Sequence, residues 1–340
     1  MSKILVTGGT GYIGSHTVVE LHNAGYEVVI VDDLSNSSIK ILDQIEAIIG
    51  LKPEFHQFDL CDIQKVNEFA AKYSDVTGII HFAAFKAVGE SVQKPLKYYK
   101  NNFFSLINLL EAFNRKINFV FSSSCTVYGQ PDNLPVTEHE KVKQAESPYG
   151  NTKQIAEEIL VETAAVTPDL NVIALRYFNP VGAHKTALIG ELPNGVPANL
   201  VPFITQSAIG KRGPITVHGD NYDTPDGSAI RDYIHVVDLA KAHVAAIKRL
   251  EEQKADTNYE VFNIGTGKGS SVLEIIKAFE ISTGEKLNYQ IGPRREGDVE
   301  KIYGDVSKSK ELLNWQTELD INEMMRSAWE WEKYIKANPF

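Results

Sequence analysis

Residues 3–14 read Lys3-Ile4-Leu5-Val6-Thr7-Gly8-Gly9-Thr10-Gly11-Tyr12-Ile13-Gly14. Lys3 to Val6 form a short buried strand, and the glycines that follow turn the chain into a helix. Gly8, Gly11 and Gly14 supply the tight turn, the close backbone approach to a pyrophosphate and the close packing of helix on strand. The first N–H groups of such a helix have no intrahelical partner and can bind a diphosphate. Gly25 stops the helix, and Glu27-Val28-Val29-Ile30-Val31 makes the second strand. It ends in Asp32-Asp33, where an acid hydrogen-bonds an adenosine ribose. A glycine-rich turn beside two solvated acids would share these letters. Strand before, helix after and acid at the right distance together specify a dinucleotide site. An acid rather than an arginine at Asp32 points to NAD over its 2′-phosphorylated form.

The rest of the first half repeats the alternation. Short apolar strands are predicted at 4–7, 27–32, 54–59, 78–83, 118–123 and 171–177, with amphipathic helices near 13–24, 39–49, 63–73, 97–115 and 149–165. That pattern predicts an α/β fold, a doubly wound parallel Rossmann sheet whose ligands bind at the carboxyl ends of the strands. After Asn179-Pro180 the texture changes to many Gly, Pro and Asn residues. A helix near 198–210, strands around 215–218 and 261–264, and helices at 236–250 and 271–283 follow, with two more at the end. We expect a smaller, interleaved C-terminal substrate domain: residues 1–180 for the cofactor and 181–340 for the substrate, with segments near 236–264 returning to the first.

Composition sets the outer limits. The 340 residues are 43% hydrophobic and 23% charged, as in ordinary soluble proteins. A net charge of −10 argues against a nucleic-acid partner, which needs a basic face. Cys61 and Cys125 give neither a disulfide framework nor a metal spacing, so no metal is expected. No apolar run approaches about 20 residues and Met1-Ser2-Lys3 leads straight into the first strand, so neither membrane nor signal peptide is expected and the cytoplasm is the default.

Chemistry enters at Ser147-Pro148-Tyr149-Gly150-Asn151-Thr152-Lys153. Ser147 can cap a helix and Pro148 fits its first turn. Tyr149 and Lys153, four apart, then share one helix face. A free phenol, with a pKa of about 10, is a poor base at neutral pH. A nearby cation and the positive end of a helix both favour the phenolate, and Ser124 could hold a substrate oxygen beside it. The expectation is proton transfer at an alcohol. Alone, Tyr-x-x-x-Lys is a weak signal, since a tyrosine on a helix flank gives the same spacing.

Longer strings are more specific. They are Val6 to Thr17, Lys86-Ala87-Val88-Gly89-Glu90-Ser91, Ser122-Ser123-Ser124-Cys125-Thr126-Val127-Tyr128-Gly129, Arg176-Tyr177-Phe178-Asn179-Pro180-Val181-Gly182-Ala183-His184, Arg231-Asp232-Tyr233-Ile234-His235-Val236 and Arg294-Arg295-Glu296-Gly297-Asp298. On them the chain resembles an extended short-chain dehydrogenase/reductase, and within that group the UDP-glucose 4-epimerases, over essentially its whole length. The resemblance implies Tyr149 as acid/base, Lys153 lowering its pKa while holding the nicotinamide ribose, and Ser124 bonding the sugar's 4-hydroxyl. It implies NAD contacts at Gly8, Gly11, Tyr12, Ile13, Gly14, Asp32, Asn36, Asp59, Leu60, Phe82, Ala83, Lys86, Asn101, Tyr149, Lys153 and Tyr177. The nucleotide sugar, UDP-glucose or UDP-galactose, would lie across Ser124, Asn179, Asn199, Leu200, Val217, Arg231, Arg295 and Asp298, with Ile302 bounding the sugar. Always-charged arginines suit a diphosphate, and an acid such as Asp298 suits a ribose hydroxyl pair. Relatives often carry a bulky tyrosine or a small residue at the Ile302 position; an intermediate residue there leads us to expect some turnover of UDP-N-acetylglucosamine.

Two rivals share the fold. A nucleotide-sugar 4,6-dehydratase would carry an Asp-Glu pair where Cys125-Thr126 stand. A non-catalytic NAD sensor would not need Ser124, Tyr149 and Lys153 together. UDP-glucuronate is a nearer alternative substrate. A homodimer, paired through the helices near 97–115 and 149–165, is expected from the resemblance. His81 and His235 read as core histidines, and Trp315, Trp329 and Trp331 as anchors for the C-terminal segment.

Overall fold

The computed structural model describes residues 2–295 and 299–340. Its first half runs β1 (Lys3–Thr7), α1 (Tyr12–Asn23), β2 (Glu27–Asp32), α2 (Ile41–Ile49), β3 (Glu54–Gln57), α3 (Ile63–Lys72), β4 (Val76–His81), α4 (Val88–Gln93), α5 (Pro95–Ala112), β5 (Ile117–Ser124), α6 (Pro148–Val166) and β6 (Leu170–Tyr177). A 3₁₀ turn, Cys125–Tyr128, follows β5. The second half adds β7 (Asn179–Val181), α7 (Leu200–Ala208), β8 (Ile215–His218), β9 (Ile230–His235), α8 (Val236–Glu251), β10 (Tyr259–Ile264), β11 (Gly269–Ser271), α9 (Val272–Thr283), β12 (Tyr289–Gly292), β13 (Lys301–Ile302), α10 (Ser307–Leu312) and α11 (Ile321–Ala337).

Seven strands form the main sheet in the order β10-β6-β5-β4-β1-β2-β3, with every pairing parallel. Each strand is covered on both faces, so alternate residues enter different cores. Ile4, Val6 and Ile30 pack with α1, α2 and α8, while Leu5, Val29 and Val31 pack with α3, α5 and α6. The strand order reverses between β1 and β4, which opens a crevice at their carboxyl ends.

Several strand ends differ from the expectation by one or two residues. β3 stops at Gln57 rather than 59, because Asp32, its last partner, ends β2. β4 begins two residues early, where Val76 pairs with Lys3 across a register shift. Beside the main sheet, β7, β9, β11 and β13 form a small second sheet, and β8 pairs with β12. Three of those strands, β7, β9 and β13, carry the expected substrate residues Asn179, Arg231 and Ile302, for which no element is predicted. Ile204, Ile215, Val217, Phe279, Met325 and Trp329 make the core of this second module.

Candidate active site

The glycine turn is shaped by contact. Gly8 has φ +70°, and a Cβ there would lie 2.9 Å from the Ala83 amide nitrogen. A Cβ on Gly14 would lie 2.1 Å from the Gly8 carbonyl oxygen, so helix and turn pack at a distance that glycine alone permits. α1 starts at Tyr12 with Gly11 as its N-cap, and among the described residues no side chain caps its first amides. Asp32 accepts from Thr10 N–H at 3.1 Å and from Leu34 N–H at 2.9 Å, which fixes its carboxylate at the end of β2. An open helix start, a cradle with no room for Cβ atoms and an anchored acid fit the diphosphate and ribose of NAD.

The other expected cofactor residues ring this crevice. Phe82 and Ala83 leave β4 against Gly8. Asp59 caps the Cys61 amide at 2.8 Å, Leu60 is buried, and Asn101 donates to the Asn102 side chain at 3.0 Å. Ile13 packs into the core. On the far lip, three contacts join the helix start and the loops after β2 and β4 to the loop after β7. Tyr12 Oη donates to the Gly182 carbonyl at 2.7 Å, Asn36 Oδ1 accepts from Asn194 at 3.1 Å, and Lys86 Nζ lies 3.6 Å from Glu191 Oε1.

At the end of β5 the polar set assembles. Ser147 caps α6 by accepting the Gly150 amide at 3.1 Å, with Pro148 next, as expected. This places Tyr149 and Lys153 on the face toward β5. The Tyr149 amide donates to Ser91 Oγ at 3.2 Å. Lys153 is buried, with Nζ 2.6 Å from the Ser122 carbonyl and 4.7 Å from the Phe121 ring centroid. Ser124 stands opposite Tyr177 in the ladder, and the Tyr177 hydroxyl is bonded to Ser122 Oγ.

One expectation needs correcting. The neighbours of Tyr149 do not depress its pKa in the protein alone: burial pushes it up to about 12, against a lowering by the Ser124 hydrogen bond. The ammonium of Lys153 is spent on the Ser122 carbonyl, and burial pulls its own pKa down to about 8, with Glu157 acting to raise it. Desolvation outweighs the Ser124 hydrogen bond.

The residues expected to meet the nucleotide sugar lie mainly on the second module. Asn179 pairs with Tyr233, and Arg231 with Ile302, in the small sheet. Arg231 Nη1 donates to the Ile230 carbonyl at 2.8 Å. Asn199 is the N-cap residue of α7, yet its amide donates to Glu191 Oε1 at 2.8 Å, and Leu200 opens the helix. The Val217 side chain belongs to the second module's core, which leaves its main chain as the part a ligand could meet. Ile302 is buried in a cluster with Cys125, Val136 and Phe178. The ring of neighbouring Tyr303 lies toward Gly269 instead, 3.1 Å from where a Cβ there would sit. Arg295 stands exposed in the loop after β12, and Asp298 lies outside the described residues.

Sequence reading missed Ser122, which receives both Lys153 and Tyr177, and Glu191, which meets both Lys86 and Asn199. No local pattern marks Glu191. Ser122 is adjacent to Ser124 and could have been weighed with it.

Residues 5–328 match the family model described as GDP-mannose 4,6 dehydratase. A UDP-glucose 4-epimerase of Pasteurella multocida is 48% identical over 332 residues, 97% of each chain. One of Dictyostelium discoideum is 47% identical over 97% of this chain and 95% of its own. Among solved structures, the UDP-glucose 4-epimerase of Stenotrophomonas maltophila, with bound NAD and formylated UDP-arabinopyranose, superposes with a TM-score of 0.95 at 44% identity, covering 99% of both chains. That of Bifidobacterium longum, in complex with NAD+ and UDP, gives 0.92 at 45% identity, again over 99% of both. With this fold, this crevice and relatives so similar along their whole length, the chain belongs to the UDP-glucose 4-epimerase family, within the broader group that the dehydratase model describes.

Proposed function

We propose that the protein is an NAD-dependent isomerase that interconverts UDP-galactose and UDP-glucose. The observation that carries this reading is the meeting of Ser124, Tyr149 and Lys153 at the carboxyl end of β5, beside the glycine crevice. Gly8 to Gly14, Asp32 and the residues after β4 would hold NAD, with Lys153 and Tyr177 at its nicotinamide end. When bound, NAD supplies a reversible hydride acceptor for carbon 4 of the sugar and brings the positive charge that favours a phenolate. Tyr149 takes the proton of the 4-hydroxyl and returns it. Ser124 holds the 4-oxygen at Tyr149. Lys153 orients the ribose and stabilises the ionised phenol.

Inversion at one carbon also demands that the sugar turn over while its UDP end stays fixed. Arg231, Arg295, Asn179 and Asn199 form the clamp, together with Leu200, the Val217 main chain and Asp298. Ile302 sets the room for rotation. Residues 1–180 thus serve the cofactor and 181–340 the sugar nucleotide, with the segment 236–264 lending a helix and a strand to the cofactor side. The reading places the enzyme in the cytoplasm, in galactose metabolism. It acts as a homodimer joined through α5 and α6, where Phe104 and Val161 are exposed. Sedimentation at the mass of two chains checks the last point.

Loss of water from the sugar is disfavoured, because Cys125 and Thr126 offer no acid pair. The Cys125 thiol, pushed up to about 12 by burial, is no substitute. The test is incubation with UDP-galactose and no added cofactor, following UDP-glucose. Tyr149→Phe should retain bound nicotinamide and lose turnover by about a thousandfold. Undiminished turnover in that variant would exclude the mechanism.

A further inference from the structure

Beneath the proposed catalytic set lies a buried carboxylate that the mechanism has not used. Glu157 and Arg176 are each 8% exposed. Glu157 Oε1 accepts from Ser123 Oγ and, at 3.0 Å, from Arg176 Nε. Oε2 accepts from Arg176 Nη2, from Nε at 3.2 Å and from the Tyr259 hydroxyl at 3.2 Å. These donors come from β5, β6 and β10, while Glu157 itself sits on α6. One carboxylate ties all four elements.

Its neighbours in sequence make the position informative. Ser123 precedes Ser124, Arg176 precedes Tyr177, and Ser123 and Arg176 are ladder partners. Glu157 follows Lys153 by four residues, hence on the same helix face. Buried ion pairs are poor stabilisers, often replaceable by apolar side chains without loss. One placed under this site therefore calls for a role beyond packing.

Resting on the proposed epimerisation, we infer that Glu157 is a positioning residue: its clamped carboxylate fixes Ser124 and Lys153 relative to Tyr149 and keeps the Lys153 ammonium charged. Burial draws the Lys153 pKa down to about 8, and Glu157 is the charge that acts to raise it. The other groups around the carboxylate are few. Tyr128, on the 3₁₀ turn, has its ring 4.8 Å from the Arg176 guanidinium carbon. Glu138 accepts from Arg176 Nη1 through its main-chain oxygen at 3.5 Å and from the Asn263 amide through its carboxylate at 2.8 Å.

The experiment is the pH profile of kcat for UDP-galactose in wild type, Glu157→Asp, Glu157→Gln and the double variant Glu157→Gln/Arg176→Met. The double variant removes the charge without stranding Arg176, so the test survives if the single amide variant fails to fold. Deprotonation of Lys153 should set the alkaline limb. Without the carboxylate, that limb moves to lower pH, and kcat at pH 9 falls about fivefold further than kcat at pH 7, the effect of a drop of one unit from a pKa of about 8. The aspartate variant should keep the wild-type limb at reduced kcat, which a purely structural role would not separate from the glutamine effect. Folded charge-free variants whose profiles superimpose on wild type after scaling would overturn the inference. Failure of the epimerase reading would look different: no UDP-glucose from wild type at any pH.

Discussion

At the scale of single residues, the site separates proton chemistry from substrate selection. In the proposed mechanism Tyr149 and Lys153 act through charge, and their burial makes that charge expensive. Ile302, in the same proposal, acts through volume. It is 5% exposed and shares a cluster with Cys125 and Phe178, so a larger side chain cannot simply swing to solvent. Ile302→Tyr should therefore intrude on the rotating sugar. We expect it to lower kcat/KM for UDP-N-acetylglucosamine at least about tenfold relative to UDP-galactose, since a tight pocket discriminates bulk by a few kcal/mol. Parallel kcat/KM measurements on both substrates check this; an unchanged ratio would show that the position does not bound the sugar. Wild-type protein that turns over UDP-galactose briskly and leaves UDP-N-acetylglucosamine untouched would refute the expected breadth.

At the scale of elements, helix starts place the chemistry, and local rules made them readable. Ser147, Pro148 and the i, i+4 pair were legible because a cap, a first-turn proline and a shared face depend on neighbours in sequence. Ser147→Ala removes the acceptor of the Gly150 amide at 3.1 Å and should cost about 1 kcal/mol of stability, seen as a lower urea midpoint. A midpoint equal to wild type would mean that the cap is redundant. The glycine turn was legible for the same local reason. The small sheet was not. Within β9, Arg231-Asp232 reads as polar surface, yet Asp232 is fully buried and accepts the Thr266 amide at 2.8 Å and the Gly267 amide at 3.1 Å. Those amides lie more than thirty residues away. β13 is only two residues long, too short for periodicity to register. The ends of β3 and β4 escaped for a related reason, since a ladder stops where its partner stops.

At the scale of the whole molecule, the two halves meet along a seam that contains buried histidines. His16 lies on α1 with its ring 6.5 Å from that of His184, and His235 Nε2 is 3.0 Å from Ser327 Oγ on α11. Glu191 joins the same seam to Lys86 and Asn199. Burial lowers the pKa of His16 and His81 to about 3, and of His184, His235 and His243 to about 4. All five are therefore neutral in the fold at pH 7. In the unfolded chain each titrates near 6.5. Below that pH the unfolded state binds more protons than the native state, so stability must fall as pH falls. The full contribution is present above about pH 6.5 and is lost progressively toward pH 4. Each fully buried histidine withdraws up to about 1.4 kcal/mol per pH unit once well below 6.5. Carboxyls raised by burial, Asp232 and Asp238 among them, act in the opposite direction, but only as the pH nears the carboxylate range. Between pH 6.5 and 5 the histidines dominate. Urea unfolding at pH 7.5 and 5.0 should show a clearly lower midpoint at 5.0. His16→Gln should shrink the difference, because it removes one group that must stay neutral. Equal midpoints at the two pH values would show that these rings already carry protons in the folded protein.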